Sequence, residues 1–473
     1  MKPDKTKATN PRTVRSLGEA FRSGAASPVA VTKACLARIE KLGVELNSFI
    51  TVLGDSALRG ADESERRYKA GSPLGPLDGV PVAVKDVFYI EGVRCTAGSK
   101  ILANNVASYD STAVRALRRA GAVLVGTTNL HEFAAGVTSN NPHYGAVKNP
   151  WDLTRVAGGS SGGSAVAVAT GMAAGAIGTD TAGSVRIPAA LCGVVGLKPT
   201  YGRVSRIGVV PLAASLDTVG VLALNAWDTG ALLQALSWHV EGDITTTNEP
   251  VPDYVGSLSA PFSGARVGIV RRYFHDCIDP RLEENFSAFA SKLGQVGCSI
   301  EAVDIEGIQD VYDKWLVIRR SEATAFHQKW LESFPELYGD DVRKLMELGR
   351  GVLAVDYVNA LNARPAVIER FSEAMRKVDF LIAPVTSIPA PKIGQTTATI
   401  EGKEISVYSA LNRLTLPFNY VGFPTITIPS GLVSGLPVGV QVAGKLFDEV
   451  GVLRLANAFE SKFGPYSLPP VHE

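Results

Sequence analysis

Three serines and one lysine in the first half of the chain have the surroundings that nucleophilic chemistry needs. Ser160 and Ser161 lie in the run 157–164, AGGSSGGS, and Ser184 closes the run 178–184, GTDTAGS. Glycine lets backbone approach a ligand closely. A buried polar stretch with so few charges must find internal partners. Hydroxyls and backbone N–H groups gathered in this way are the equipment of acyl transfer. A serine hydroxyl is a weak nucleophile until a base takes its proton. No histidine stands in these runs, so the base is another group. Lys85 closes the apolar run 80–85, VPVAVK. Burial there would disfavour its ammonium and bring the pKa from ~10.4 toward the ~7–8 of a working base. Taken alone, a lysine at a strand end is more often an ordinary ion-pairing residue.

The elements around these residues follow from punctuation and periodicity. The run 80–84 reads as a strand buried on both faces. Ser27-Pro28 opens a helix as cap and first residue, and Gly43 closes it, with Val31, Ala34, Cys35 and Ile39 on one face. Residues 55–70 form a charged helix. Ser111 caps a helix that Gly121 stops, and 122–125 is the strand after it. Further strands are expected at 176–179, 193–197, 267–270, 380–383, 425–428 and 438–442, with a last helix over 449–463. Helix and strand alternate, which predicts an α/β fold with a mixed central β-sheet flanked by helices. The 473 residues are read as one domain, with the chemistry in 75–225 and a more helical insertion over 241–375 covering one face.

Composition narrows the function. Lys+Arg 47 against Asp+Glu 46 leaves a net charge of +1, which gives no electrostatic case for nucleic acid or an anionic membrane. No apolar run approaches the ~20 residues of a membrane span, and residues 1–14 lack the apolar core of a secretory signal. Five cysteines form no CxxC pair, so they read as reduced, buried and structural in a cytoplasmic protein. No histidine lies in a zinc-binding spacing, so no metal is expected.

Three spaced motifs carry a resemblance. GVPVAVKD at 79–86, GGSSGGSAVAVA at 158–169 and GTDTAGSVRIPAALCGVVGLKPTYGRVS at 178–205 are similar to the amidase signature family. The resemblance implies that family's fold and a Lys–Ser–Ser triad that hydrolyses amides. Lys85 would be the base, Ser160 a relay on a cis peptide bond, and Ser184 the nucleophile. Backbone N–H groups of Thr181, Ala182, Gly183 and Ser184 would form the oxyanion hole. Ser161 would either steady Lys85 or cap the following helix. Asp180 and Arg186 are expected to pair across the turn, and Thr179 to bond within the same loop. No cofactor is implied.

Within the family, the stretch 196–210 and ASLDTVG at 214–220 resemble the glutamine-hydrolysing subunits of tRNA-dependent amidotransferases. Those subunits hold glutamine's charged ends with an arginine and an aspartate. Here the positions fall near Lys344 and Leu345, with Arg343 alongside, and at Asn412. The departure favours a free-standing amidase for a neutral or aromatic small-molecule amide; the resemblance implies a homodimer, and no direct nucleic-acid partner is expected. Phe418, Tyr420 and Phe423 would line an apolar acyl pocket or simply belong to the core. Two other readings remain. GxSxG occurs twice in 158–163, which would suit a hydrolase elbow if His327 or His472 supplied a base. A chain that has lost catalysis and serves as a scaffold would have no reason to keep all three triad residues.

Overall fold

A computed structural model describes residues 13–470. Most of the N-terminal segment expected to lack a secretory signal lies outside the described residues, as does His472. Among the described residues, no helix is long and apolar enough to cross a membrane.

An 11-stranded mixed sheet crosses the molecule. Its order is Phe49–Val52, Val123–Thr128, Pro81–Lys85, Gly175–Asp180, Thr218–Ala223, Val195–Lys198, Thr425–Val433, Leu436–Ala443, Phe380–Pro384, Arg266–Ile269 and Ser299–Ala302. Pro81–Lys85 runs parallel to both of its neighbours, and Val84 stands opposite Ile177. One step further, Lys85 comes beside Gly178 and Thr179. Lys85 and the serine turn therefore lie at the C-terminal ends of two adjacent parallel strands, where α/β sheets commonly hold ligands. All five residues of Pro81–Lys85 are buried, which is why the run shows no alternation of polar and apolar residues.

The helices follow their local signals closely. Ser27 caps Pro28–Leu46 by accepting the Ala30 N–H. Gly43 does not end that helix. It continues to Leu46, and Asn47 takes the left-handed conformation at φ 53° that stops it. Ser111 caps Thr112–Arg119, and the last helix is Glu449–Phe463. The helix Gly162–Ala169 is buried on every side. Its Gly163 is pressed against the backbone carbonyls of Asn129 and Ser48, so no larger residue fits there.

Other expectations change as well. The segment 241–375 is not only a cover, because Arg266–Ile269 and Ser299–Ala302 form the far edge of the main sheet. Asp152–Val156 is a strand that patterning missed, but it pairs with Lys148–Asn149 in a separate two-stranded ribbon. It therefore does not supply the central-sheet strand an elbow serine requires. His327 hydrogen-bonds Tyr338 and packs against Phe133 and Phe326. All five cysteines are free; Cys35 and Cys277 are only partly buried, against the expectation.

Asp180 and Arg186 join the strand edge to the helix Arg186–Cys192 by a two-pronged ion pair at 3.1 and 3.0 Å, both side chains fully buried. Replacing Arg186 with Leu should leave the Asp180 carboxylate buried without its counter-ion and cost about 3–5 kcal/mol of stability. Urea unfolding measures this, and a loss below about 1 kcal/mol would show that the pair does not hold the fold.

Candidate active site

Lys85, Ser160 and Ser161 are fully buried, and Ser184 is nearly so. Lys85 Nζ lies 2.8 Å from Ser160 Oγ and 2.8 Å from Thr179 Oγ1. Burial drives the Lys85 pKa down to about 7, against the pull of the Asp217 and Asp180 carboxylates. The lysine is thus held near neutrality by its surroundings and aimed at one serine.

The peptide bond from Gly159 to Ser160 is cis. The Ser160 carbonyl accepts from the His131 N–H and the Ser139 hydroxyl, which fixes the loop at its centre. The Ser161 N–H donates to the Ser184 carbonyl at 3.1 Å, tying the two serine runs together. No hydrogen bond joins Ser160 Oγ to Ser184 Oγ among the described residues.

Ser161 follows neither expected role. Its hydroxyl makes no cap to the helix after it and does not reach Lys85. It donates instead to the Thr179 carbonyl at 3.2 Å, and so acts on the residue whose side chain holds Lys85. Gly178 makes room for it: a Cβ there would lie 2.6 Å from Ser161 Oγ.

The turn 181–184 is held from several sides. Thr181 Oγ1 donates to Asp217 at 2.5 Å, and the Thr181 carbonyl accepts the Trp315 indole N–H at 3.0 Å. The Ala182 carbonyl accepts from the Thr415 hydroxyl. Gly183 takes φ 113°, which favours glycine, and a Cβ would collide with Thr415. Its N–H donates to Asp180 at 2.7 Å, so it is engaged rather than free for an oxyanion. The N–H groups of Thr181, Ala182 and Ser184 have no acceptor among the described residues. Asp180 accepts from Arg186, Gly183, Val185 and Asn419. Burial opposes its charge, but Arg186 and Asn419 hold the carboxyl well below the usual carboxylate range.

Residues expected to shape the substrate pocket fall in different places. Phe418, Tyr420 and Phe423 are core: Phe418 stacks on Phe274, Phe371 packs edge-on against Phe418 and Phe423, and Tyr420 donates to the Ala360 carbonyl. Lys344 is exposed, and Arg343 pairs with Asp340 at 3.2 Å. Leu345 lines a cavity of about 320 Å³ with His131, Val137, Thr138 and Tyr408. That cavity borders the loop that packs on Gly159, since the Thr138 backbone lies against it. Asn412 is fully buried. Sequence reasoning missed Asp217, Asn419 and the direct contact of Thr179 with Lys85. Only the alternation of the strand around Thr179 could have placed its hydroxyl on the lysine's side.

Comparison with known proteins identifies the family. The family model "Amidase" matches residues 30–453. The A subunit of glutamyl-tRNA(Gln) amidotransferase from Myxococcus xanthus (strain DK1622) is 38% identical, over 95% of this chain and 96% of that protein. A solved structure described as "an unexpected vestigial protein complex", revealing the origins of an s-triazine catabolic enzyme, superposes with TM-score 0.92 at 33% identity, covering 96% of this chain and 99% of the other. The same amidotransferase component from Thermotoga maritima superposes with TM-score 0.80 at 34% identity, covering 93% and 94%. These relatives overturn the expected partners, a small amide substrate for a homodimer without nucleic acid. Proteins matching nearly the whole chain are named as subunits of an enzyme that is itself named for a tRNA. The motifs that were read belong to the hydrolytic core, and a core of that kind carries no information about what docks around it. With its motifs, its mixed sheet and its matched length all in agreement, the chain belongs to the amidase signature family, whose members hydrolyse the C–N bond of amides.

Proposed function

We propose that this chain hydrolyses a carboxamide through an acyl-enzyme on Ser184. We propose further that it is the glutamine-hydrolysing component of an assembly like the one its relatives are named for, releasing ammonia for a tRNA-dependent transfer. The observation that carries the chemistry is the 2.8 Å contact between a fully buried lysine and Ser160, in a loop bonded to the Ser184 turn. Identity of 38% over 95% of the chain supports the role within such an assembly. The five free cysteines suit a reducing, cytoplasmic setting.

In this mechanism neutral Lys85 takes the Ser160 proton as Ser160 takes that of Ser184. Ser184 Oγ attacks the amide carbon, and the carbonyl oxygen becomes an oxyanion. The open N–H groups of Thr181, Ala182 and Ser184 are available to it. The same path in reverse returns a proton to the leaving nitrogen, and ammonia departs. Water then attacks the acyl-enzyme by the same relay and frees the carboxylate. Asp180 and Asp217 touch no reacting atom here. They hold the turn, and their charge keeps Lys85 from falling further below neutrality.

Because burial sets the Lys85 pKa at about 7 and the base must be neutral, activity should be lost as pH falls through that value and level off above it. A pH profile of kcat/KM measures this. Lys85→Ala should abolish the rise; a flat wild-type profile from pH 5 to 9 would remove lysine as the base.

A fluorophosphonate should label the peptide containing Ser184, and Ser184→Ala should remove both label and turnover, by ~10³-fold or more. Labelling at Ser160 or Ser161 instead would assign the nucleophile elsewhere.

Ammonia release from glutamine should be measurable and should exceed that from benzamide or phenylacetamide. Efficient turnover of these neutral amides with no glutaminase activity, alone or with partner chains, would exclude the glutamine reading while leaving the amidase chemistry intact.

A further inference from the structure

Arg319 is a buried, strongly basic side chain with no hydrogen-bond partner among the described residues. It lies on the helix Val311–Ser333 and is 1% exposed. None of its three guanidinium nitrogens has a hydrogen-bond partner among the described residues. Guanidinium carries five N–H donors and stays charged, so burying it unpaired is among the costliest arrangements a protein can hold. Other buried arginines keep partners: Arg186 has Asp180, Thr415, Gln441 and Asn419, and Arg203 donates through Nη1 to the Glu249 and Pro250 carbonyls.

Its place in the fold points to the reacting serine. Trp315 lies one helical turn earlier on the same face and donates its indole N–H to the Thr181 carbonyl of the oxyanion turn. Burial weakens the Arg319 charge, Tyr408, Tyr312 and Asp217 favour it, and Arg320 opposes it. Asp217 also acts on Lys85, so the two basic side chains share one neighbour. The Asp217 oxygens are already taken by the Thr181 hydroxyl and the Leu212 and Ala213 N–H groups, and no ion pair joins them to Arg319 among the described residues. Tyr408 also lines the 320 Å³ cavity beside the Ser160 loop. One turn on from Tyr408, Asn412 is fully buried, and both its amide nitrogen and its amide oxygen lack a partner. Its backbone carbonyl accepts from Thr415, whose hydroxyl also bonds the Ala182 carbonyl. One helix that bonds the turn 181–184, and a second linked to it through Thr415, thus each carry an orphaned polar group, one of them a cation.

We propose that Arg319 receives a carboxylate borne on the acyl part of the substrate, with Asn412 hydrogen-bonding the same acyl chain. The site then selects amides of dicarboxylic or amino acids, glutamine among them, over neutral amides. This deepens the amide-hydrolase reading of Ser184 and rests on it. A carboxylate matches the guanidinium fork with two parallel N–H···O bonds. An apolar acyl chain would leave both groups unpaired, and sites built for a polar ligand reject analogues that lack it.

The test compares succinamate and glutaramate with butanamide and pentanamide, amides of equal length with and without the carboxylate. Wild-type kcat/KM should favour the anionic partner. In Arg319→Leu that ratio should fall by about 10²-fold or more, and Arg319→Lys should restore part of it. Succinate and glutarate should raise the Tm of the wild type more than that of Arg319→Leu. Should the leucine variant not fold, the wild-type ratio and the lysine variant are read in the same way. A ratio near one in the wild type, or unchanged in the variants, overturns the proposal, as does equal protection of wild type and variant by the dicarboxylates. Fluorophosphonate labelling of Ser184 separates the two readings: loss of label sinks the hydrolase reading, whereas intact label without carboxylate discrimination sinks only this one.

Discussion

The buried pair between Asp180 and Arg186 is the joint on which the site hangs. Asp180 ends a central strand, and Arg186 begins the helix after the serine turn. Their two-pronged bond closes the intervening residues into a loop of defined shape. The remaining donors of Arg186 reach the Thr415 carbonyl and Gln441, so the same guanidinium pins distant parts of the chain against the turn. Desolvating two charges is expensive, and such a pair persists where its hydrogen bonds are complete. Here Asp180 also takes N–H groups of Gly183 and Val185 and the Asn419 amide. The pair therefore sets the position of Ser184 without touching any reacting atom.

Lys85 shows the opposite use of burial. Its ammonium has no carboxylate in ion-pair contact; two hydroxyls hold the nitrogen, and the nearest carboxylates act from a distance. Desolvation then outweighs attraction, and the pKa of a normally charged side chain falls to about 7. Had Asp217 reached Lys85 directly, the ammonium would have been stabilised. Its engagement with Thr181, Leu212 and Ala213 keeps it back. The charge of Lys85 is thus set by which carboxylate is already occupied.

Much of the framework was legible in the chain because it rests on local rules. Ser27, Ser111 and the last helix follow capping and periodicity, and the apolar run ending at Lys85 could only be a strand covered on both faces. Errors came where local rules compete. Gly43 reads as a stop, but the helix had packing to gain and ran on to the left-handed Asn47. The strands Arg266–Ile269 and Ser299–Ala302 join the sheet through long-range pairing, which no local pattern marks as central or peripheral.

The sequence by itself determined the chemistry: a lysine at a strand end, serines among glycines at set spacings, and hence an amide-cleaving family. Those features depend on residue type and on separations short enough to survive in the linear pattern. Tertiary structure alone decided the partners of each group. Ser161 serves Thr179 rather than Lys85, the Gly183 N–H goes to Asp180, and Phe418 and its aromatic neighbours fill the core. It also decided that Lys344 faces solvent while Arg319, unremarkable in the sequence, is buried without a partner. Burial and hydrogen-bond satisfaction depend on how every segment packs in three dimensions, so only the folded chain can show which polar group has been left waiting.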